Sequence, residues 1–100
     1  MLMSGEQVKQ KLLPFTSELN AAGIVHLVVH GSVVRGEATP SSDVDLIADF
    51  DRSRKISLIG RVHLENRLTD ILGVKADLSD RLLLRPEVLE SSQRVSVLVF

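Results

Sequence analysis

Residues 30–49 read HGSVVRGEATPSSDVDLIAD, and the rest of the chain is read outward from this stretch. It opens on the end of an apolar run and turns at Gly31-Ser32. It then passes Arg35-Gly36 and a polar loop, and enters a second run that carries Asp43 and Asp45. Val44, Leu46 and Ala48 alternate with Asp43, Asp45 and Asp49, the period of a strand with one apolar and one acidic face; only Ile47 breaks the polar parity. Residues two apart on a strand share a face, so Asp43 and Asp45 point the same way with Cβ atoms roughly 6–7 Å apart. Such a pair suits divalent cations, since two ions about 3.5–4 Å apart can be held between carboxylates and phosphate oxygens. Gly31 lets the backbone approach a ligand closely, and a helical turn after it would aim free N–H groups at phosphate. A Gly-Ser pair alone is usually no more than a turn, and it gains meaning here from the arginine and the paired acids downstream of it.

Composition narrows the alternatives. One hundred residues predict one small domain, spanning 1–100, and 44% apolar residues suffice for one core. A net charge of −1 argues against a nucleic-acid binder held by bulk electrostatics. Three aromatics, Phe15, Phe50 and Phe100, give no stacking platform for single strands. The absence of cysteine excludes disulfides and thiolate metal sites. No segment reaches the ~20 continuous apolar residues of a membrane span, and no signal-peptide pattern opens the chain, so the expected location is the cytoplasm.

The remaining elements follow from local pattern. Ser4 and Gln7 form a capping box, and Val8, Leu12, Phe15, Leu19 and Ala22 follow helical spacing behind it, interrupted by a kink or break at Pro14. Val25–Val29 reads as a central strand buried on both faces, with His26 and His30 as packing or edge residues. Asp49 and Asp51 read as solvated strand-end residues, and Arg52, Arg54 and Lys55 as a solvated basic cluster. A helix with a broad apolar face is expected from about Ile56 to Leu72, stopped by Gly73. Val74, Ala76 and Leu78 alternate with Lys75, Asp77 and Ser79 in a third strand, which leaves Asp77 an isolated acid on a polar face. Pro86 opens a last helix that is expected to run through residues 95–100.

Gly31, Ser32, Arg35, Gly36, Ser42, Asp43, Asp45 and Leu46 together resemble the signature of the minimal nucleotidyltransferases, in the DNA polymerase β-like nucleotidyltransferase superfamily. That signature is a Gly-Ser pair, ten residues, then Asp-x-Asp, and Val33 to Ser42 are the ten here. The resemblance covers nearly the whole chain. It implies an α/β (α+β) fold: a small mixed β-sheet with helices packed mainly on one face, like a polymerase β palm. It also implies transfer of a nucleoside monophosphate from a nucleoside triphosphate to a hydroxyl, with pyrophosphate released. Asp43 and Asp45 would hold two Mg²⁺ ions, and Asp77 would complete the shell of the second and could accept the acceptor's proton. Gly31, Ser32, Arg35 and Ser42 would bind the nucleotide's phosphates. Members resembling this chain use ATP and act as antitoxins by adenylylating a HEPN-domain toxin, on a tyrosine. The resemblance implies that partner; composition and periodicity do not.

A blander reading stands beside it. Asp43 could cap its strand, Asp45 could pair with Arg35, and Asp77 with Lys75. Two bare carboxylates about 4 Å apart repel by roughly 4 kcal/mol at an effective dielectric near 20, so a cluster of three calls for cations or a shared proton. At the level of function, the competing expectation is a non-catalytic protein that silences its partner by steric binding. A chain this short has no room for an acceptor-gripping domain, so a partner chain or a homo-oligomer is expected to complete the site wall.

Overall fold

A computed structural model describes residues 3–36, 43–85 and 96–100. Ser4 caps the first helix, α1 (Gly5–Leu12). Its hydroxyl accepts from the Gln7 amide at 3.2 Å, and the Gln7 side chain accepts from the Ser4 amide at 2.8 Å. Pro14 cannot donate in a continuing α-helix, so the chain tightens into a 3₁₀ turn over Leu13–Phe15 and resumes as α2 (Thr16–Ala21). Val8, Leu12 and Leu19 are fully buried on the inner side of these helices.

The strands are β1 (Ile24–His30), β2 (Val44–Phe50), β3 (Ala76–Asp80) and β4 (Ser96–Leu98). They form one mixed sheet in the order β3-β2-β1-β4. β1 runs antiparallel to β2 and β4, whereas β2 and β3 are parallel. A single helical turn, α3 (Ser32–Arg35), comes just after β1. The parallel pair needs a crossover, supplied by α4 (Leu58–Leu72). Ser57 caps α4 by accepting from the Gly60 amide at 3.0 Å, and Gly73 ends it in the left-handed region at φ +76°.

One sheet face carries the core. Leu27 and Val29 of β1, Val44, Leu46, Ala48 and Phe50 of β2, and Ala76 of β3 pack with Val8, Leu12 and Leu19 and with Leu64, Leu68 and Leu72 of α4. The α4 leucines recur every four residues, one stripe along the helix. Burying each contributes roughly 1.5–3 kcal/mol, so this stripe alone matters on the scale of a small domain's stability.

The expected secondary-structure elements meet three corrections. β1 is not buried on both faces: Val25 and His26 are exposed, and the register slips between Ile24 and His26 as at a β-bulge. The apolar face of α4 is narrower than its composition suggests, because Leu58, Ile59 and Val62 are exposed. Residues 96–98 form a strand instead of continuing a helix. Exposure alternates along it, with Ser96 and Leu98 exposed and Val97 and Val99 turned toward the core, and β1 had backbone groups to pair on that side. The helix expected at Pro86 lies outside the described residues.

Asp80, at the end of β3, is the one buried charged residue among those described. Arg52 reaches it from the β2–α4 loop at 2.8 and 3.3 Å, Arg61 from α4 at 3.1 Å, and the Leu82 amide donates to it at 3.0 Å. These donors, the Arg52 hydrogen bonds foremost, hold its carboxyl below the usual aspartate range despite the opposing effect of burial. Arg52 therefore ties its loop to β3 instead of belonging to a solvated cluster, and Arg61 joins α4 to the same carboxylate. Arg54 likewise donates to the Ala21 carbonyl at 2.7 Å. Asp49 pairs with Arg81 and is not simply solvated.

Candidate active site

The core occupies one face of the sheet, and strand alternation decides which residues lie on the other. On β2, Asp45, Ile47 and Asp49 face away from the core, and Asp43 continues the same parity just before the strand. The parallel register sets Asp77 of β3 directly beside Asp45, and Ser79 beside Ile47. Register partners in adjacent strands point to one face, with strands about 4.7–4.9 Å apart, so Asp77 shares the face of Asp45 and Asp43. On the other side of β2, His30 of β1 is the partner of Asp45, and Ser96 of β4 is the partner of His30. One row thus crosses the sheet as Asp77, Asp45, His30, Ser96. His30 and Asp45 are both engaged in interactions within the fold.

The chain turns at the end of this row. Gly31 is buried with φ +85°, and α3 begins at once, with the Val34 amide donating to the Gly31 carbonyl at 3.1 Å. A Cβ on Gly31 would stand 2.3 Å from Oδ2 of Asp45 and 3.2 Å from its Cγ. The glycine therefore makes room for this carboxylate as well as permitting the turn. The backbones of Ser32 and Arg35 lie in α3. Ser42 lies outside the described residues.

The three acids are not equivalent. The Asp43 carboxylate is 42% exposed and lies 3.8 Å from the Lys75 ammonium, a contact the blander reading assigned to Asp77. Asp77 is exposed on the outermost strand, and Asp45 is half-buried between β1 and β3. Among the described residues, no three His, Asp or Glu side chains converge closely enough to form a ready-made metal cage. The donor set nevertheless fits Mg²⁺. That ion favours oxygen ligands and is usually held by one or two carboxylates together with substrate phosphates, not by an all-protein cage. Asp45 is the central acid, with Asp77 its register neighbour and Asp43 two residues before it.

His30 is the residue of this row that the sequence reading left as packing. The available signal was its position: it ends a strand, precedes the glycine turn, and falls opposite Asp45 once β1 and β2 are paired as antiparallel neighbours. Asp80 was also missed, because its two arginines come from residues 52 and 61.

Comparison with known proteins adds to this geometry. Residues 9–98 match the family described as nucleotidyltransferase domain. A protein adenylyltransferase MntA from Thermococcus cleftensis is 36% identical over 78 residues, which cover 77% of each chain. A solved structure of an inferred minimal nucleotidyltransferase superposes with a TM-score of 0.77 at 32% identity, covering 95% of both chains. The fold also recurs in the complex of a tri-AMPylated Shewanella oneidensis HEPN toxin with its MNT antitoxin. There the TM-score is 0.67 at 14% identity, covering 93% of this chain and 71% of that one, and the likeness is one of fold. Among the described residues, no helix is long and apolar enough to cross a membrane.

Proposed function

The chain belongs to the nucleotidyltransferase domain family, and from that premise we propose that it transfers AMP from ATP to a tyrosine hydroxyl of a HEPN-family toxin, acting as that toxin's antitoxin in the cytoplasm. Residues 1–100 serve as one catalytic domain, and the toxin supplies part of the site wall. The observation that carries this reading is the row through Asp45, with Asp77 in register beside it and Gly31 turned against its carboxylate. The adenylyltransferase relative supports the choice of AMP.

In this reading Asp43 and Asp45 hold Mg²⁺, with Asp77 contributing to a second ion. Bound there, the metal would neutralise triphosphate charge and lower the pKa of the attacking hydroxyl. The protein's own work is orientation. Backbone groups at Gly31 and Ser32, with the Ser32 hydroxyl, hold the β- and γ-phosphates. Arg35 offsets phosphate charge, and Ser42 is a further phosphate-binding residue. Asp77, at the outer edge of the row, receives the proton that the acceptor oxygen loses.

The test is transfer of label from α-labelled ATP to the cognate toxin in the presence of Mg²⁺. Asp43→Ala and Asp45→Ala should each abolish transfer while melting as the wild type does. Transfer retained by either variant refutes its role. A folded wild-type chain that transfers nothing refutes the whole reading. Neutralisation of the toxin by Asp43→Ala at stoichiometric levels would identify the protein as a steric inhibitor instead.

A further inference from the structure

We infer that His30 is a leaving-group residue, its imidazole N–H donating to the pyrophosphate oxygens as the bond to the α-phosphorus breaks. The inference rests on the AMP-transfer reading and adds a residue that the Gly-Ser and Asp-x-Asp positions do not include.

Order along the row assigns the role. Across the sheet the residues run Asp77, Asp45, His30, Ser96, each in register with the next and all on the face opposite the core. If Asp77 marks the end where the acceptor hydroxyl is deprotonated, Asp45 in the middle marks the reacting phosphorus. His30 then occupies the opposite flank. It is also covalently joined to Gly31, the turn assigned to the β- and γ-phosphates, so a triphosphate running from Asp45 to that turn passes the imidazole. Directly opposed residues on antiparallel strands have Cβ atoms about 4.5–5.5 Å apart, near enough for a side chain of this length to reach a phosphate held beside Asp45. His30 is half-buried, engaged in an interaction within the fold and still partly accessible to solvent.

The step balances without a further reagent. The acceptor oxygen bonds to the α-phosphorus, and its proton goes to Asp77. The bond from that phosphorus to the oxygen bridging to the β-phosphate breaks, and the electron pair leaves with pyrophosphate. Negative charge therefore grows on the His30 side of the row as it falls on the Asp77 side. Imidazole has two ring nitrogens, so one can keep the contact His30 makes within the fold while the N–H of the other donates to phosphate. A donor aimed at developing charge stabilises the transition state more than the bound substrate.

The competing view is that His30 only props Asp45, and binding separates the two. Pyrophosphate and AMP, each with Mg²⁺, are titrated into wild type, His30→Phe and His30→Gln, with folding checked by thermal melts. Loss of a donor to a charged oxygen should weaken pyrophosphate binding about tenfold in His30→Phe and leave AMP binding unchanged. Gln, which keeps an N–H donor, should recover most of the difference. AMP transfer from ATP is then compared with transfer from its β,γ-methylene analogue, whose leaving group is more basic. His30→Phe should widen the gap between the two substrates. Equal weakening of AMP and pyrophosphate, or an unchanged gap, overturns the role of His30 while leaving AMP transfer by the wild type standing. A wild type that transfers no AMP overturns the parent reading and this inference with it.

Discussion

Gly31→Ala tests the site directly, because the structure contains its own control. Gly31 and Gly73 both hold positive φ, +85° and +76°. An L-residue forced into the left-handed region costs about 1–2 kcal/mol, so both alanine variants should lose that much stability. Each 1 kcal/mol corresponds to roughly 4–8 °C of melting temperature in a domain of this size. The surroundings differ. A Cβ at Gly73 meets nothing within 4 Å, whereas one at Gly31 would stand 2.3 Å from the Asp45 carboxylate oxygen and 3.3 Å from the Asp45 Cβ. The carboxylate can rotate away more cheaply than the backbone can shift, so the added cost falls on the position of Asp45, not on folding. A misplacement of about 1 Å at a reacting centre costs on the order of 10²-fold in rate. The two variants should therefore melt within a few degrees of each other, while only Gly31→Ala loses about 10²-fold in label transfer from α-labelled ATP to the proposed toxin partner. Transfer by Gly31→Ala within a few-fold of Gly73→Ala would refute the claim that this glycine seats a functional carboxylate.

Other perturbations probe the scaffold and the rim of the site. Asp80→Asn removes the charge that Arg52 and Arg61 share and should cost about 1.5–3 kcal/mol by chemical denaturation, held to that range because Arg52 is half exposed. The same pair reads out in pH: the Asp80 carboxyl titrates lower folded than unfolded, so its stabilisation is full above the unfolded value of about 3.9 and is lost as pH falls through the folded one. The difference in melting temperature between wild type and Asp80→Asn should therefore be constant from neutral pH down to about 5 and shrink below about 4; a difference independent of pH would contradict the assignment. Leu68→Ala empties a fully buried position in the α4 stripe and should cost about 2–5 kcal/mol, against under about 0.5 kcal/mol for Leu58→Ala at an exposed one. Lys75→Ala frees the Asp43 carboxylate from a cation 3.8 Å away, and the midpoint of Mg²⁺ activation should move to lower concentration; an unchanged midpoint would place that ion pair outside the site.

Much of the molecule was legible in the chain itself, wherever the physics is local. The capping box at Ser4 and Gln7, the break at Pro14, the stop at Gly73 and the alternation of β2 and β3 depend on residues within one turn or one strand of each other. The pairing of a glycine turn with Asp43 and Asp45 is equally local, which is why the family could be read from eight positions. Alternation even placed Asp43, Asp45 and Asp77 on polar faces. It could not say that those faces coincide. That depends on which strands are neighbours and in what register, and only the parallel β2–β3 pairing sets Asp77 beside Asp45, just as only the antiparallel β1–β2 pairing sets His30 on its other side. The same limit explains the C-terminal segment, whose strand exists because β1 offers an edge to pair with, and Asp80, whose burial is tolerable because arginines 28 and 19 residues away in sequence fold back upon it. Spacing along a chain determines which side chains share a face of one element. Contact between elements is settled by the sheet, because backbone hydrogen bonds between strands choose a register that no single strand carries.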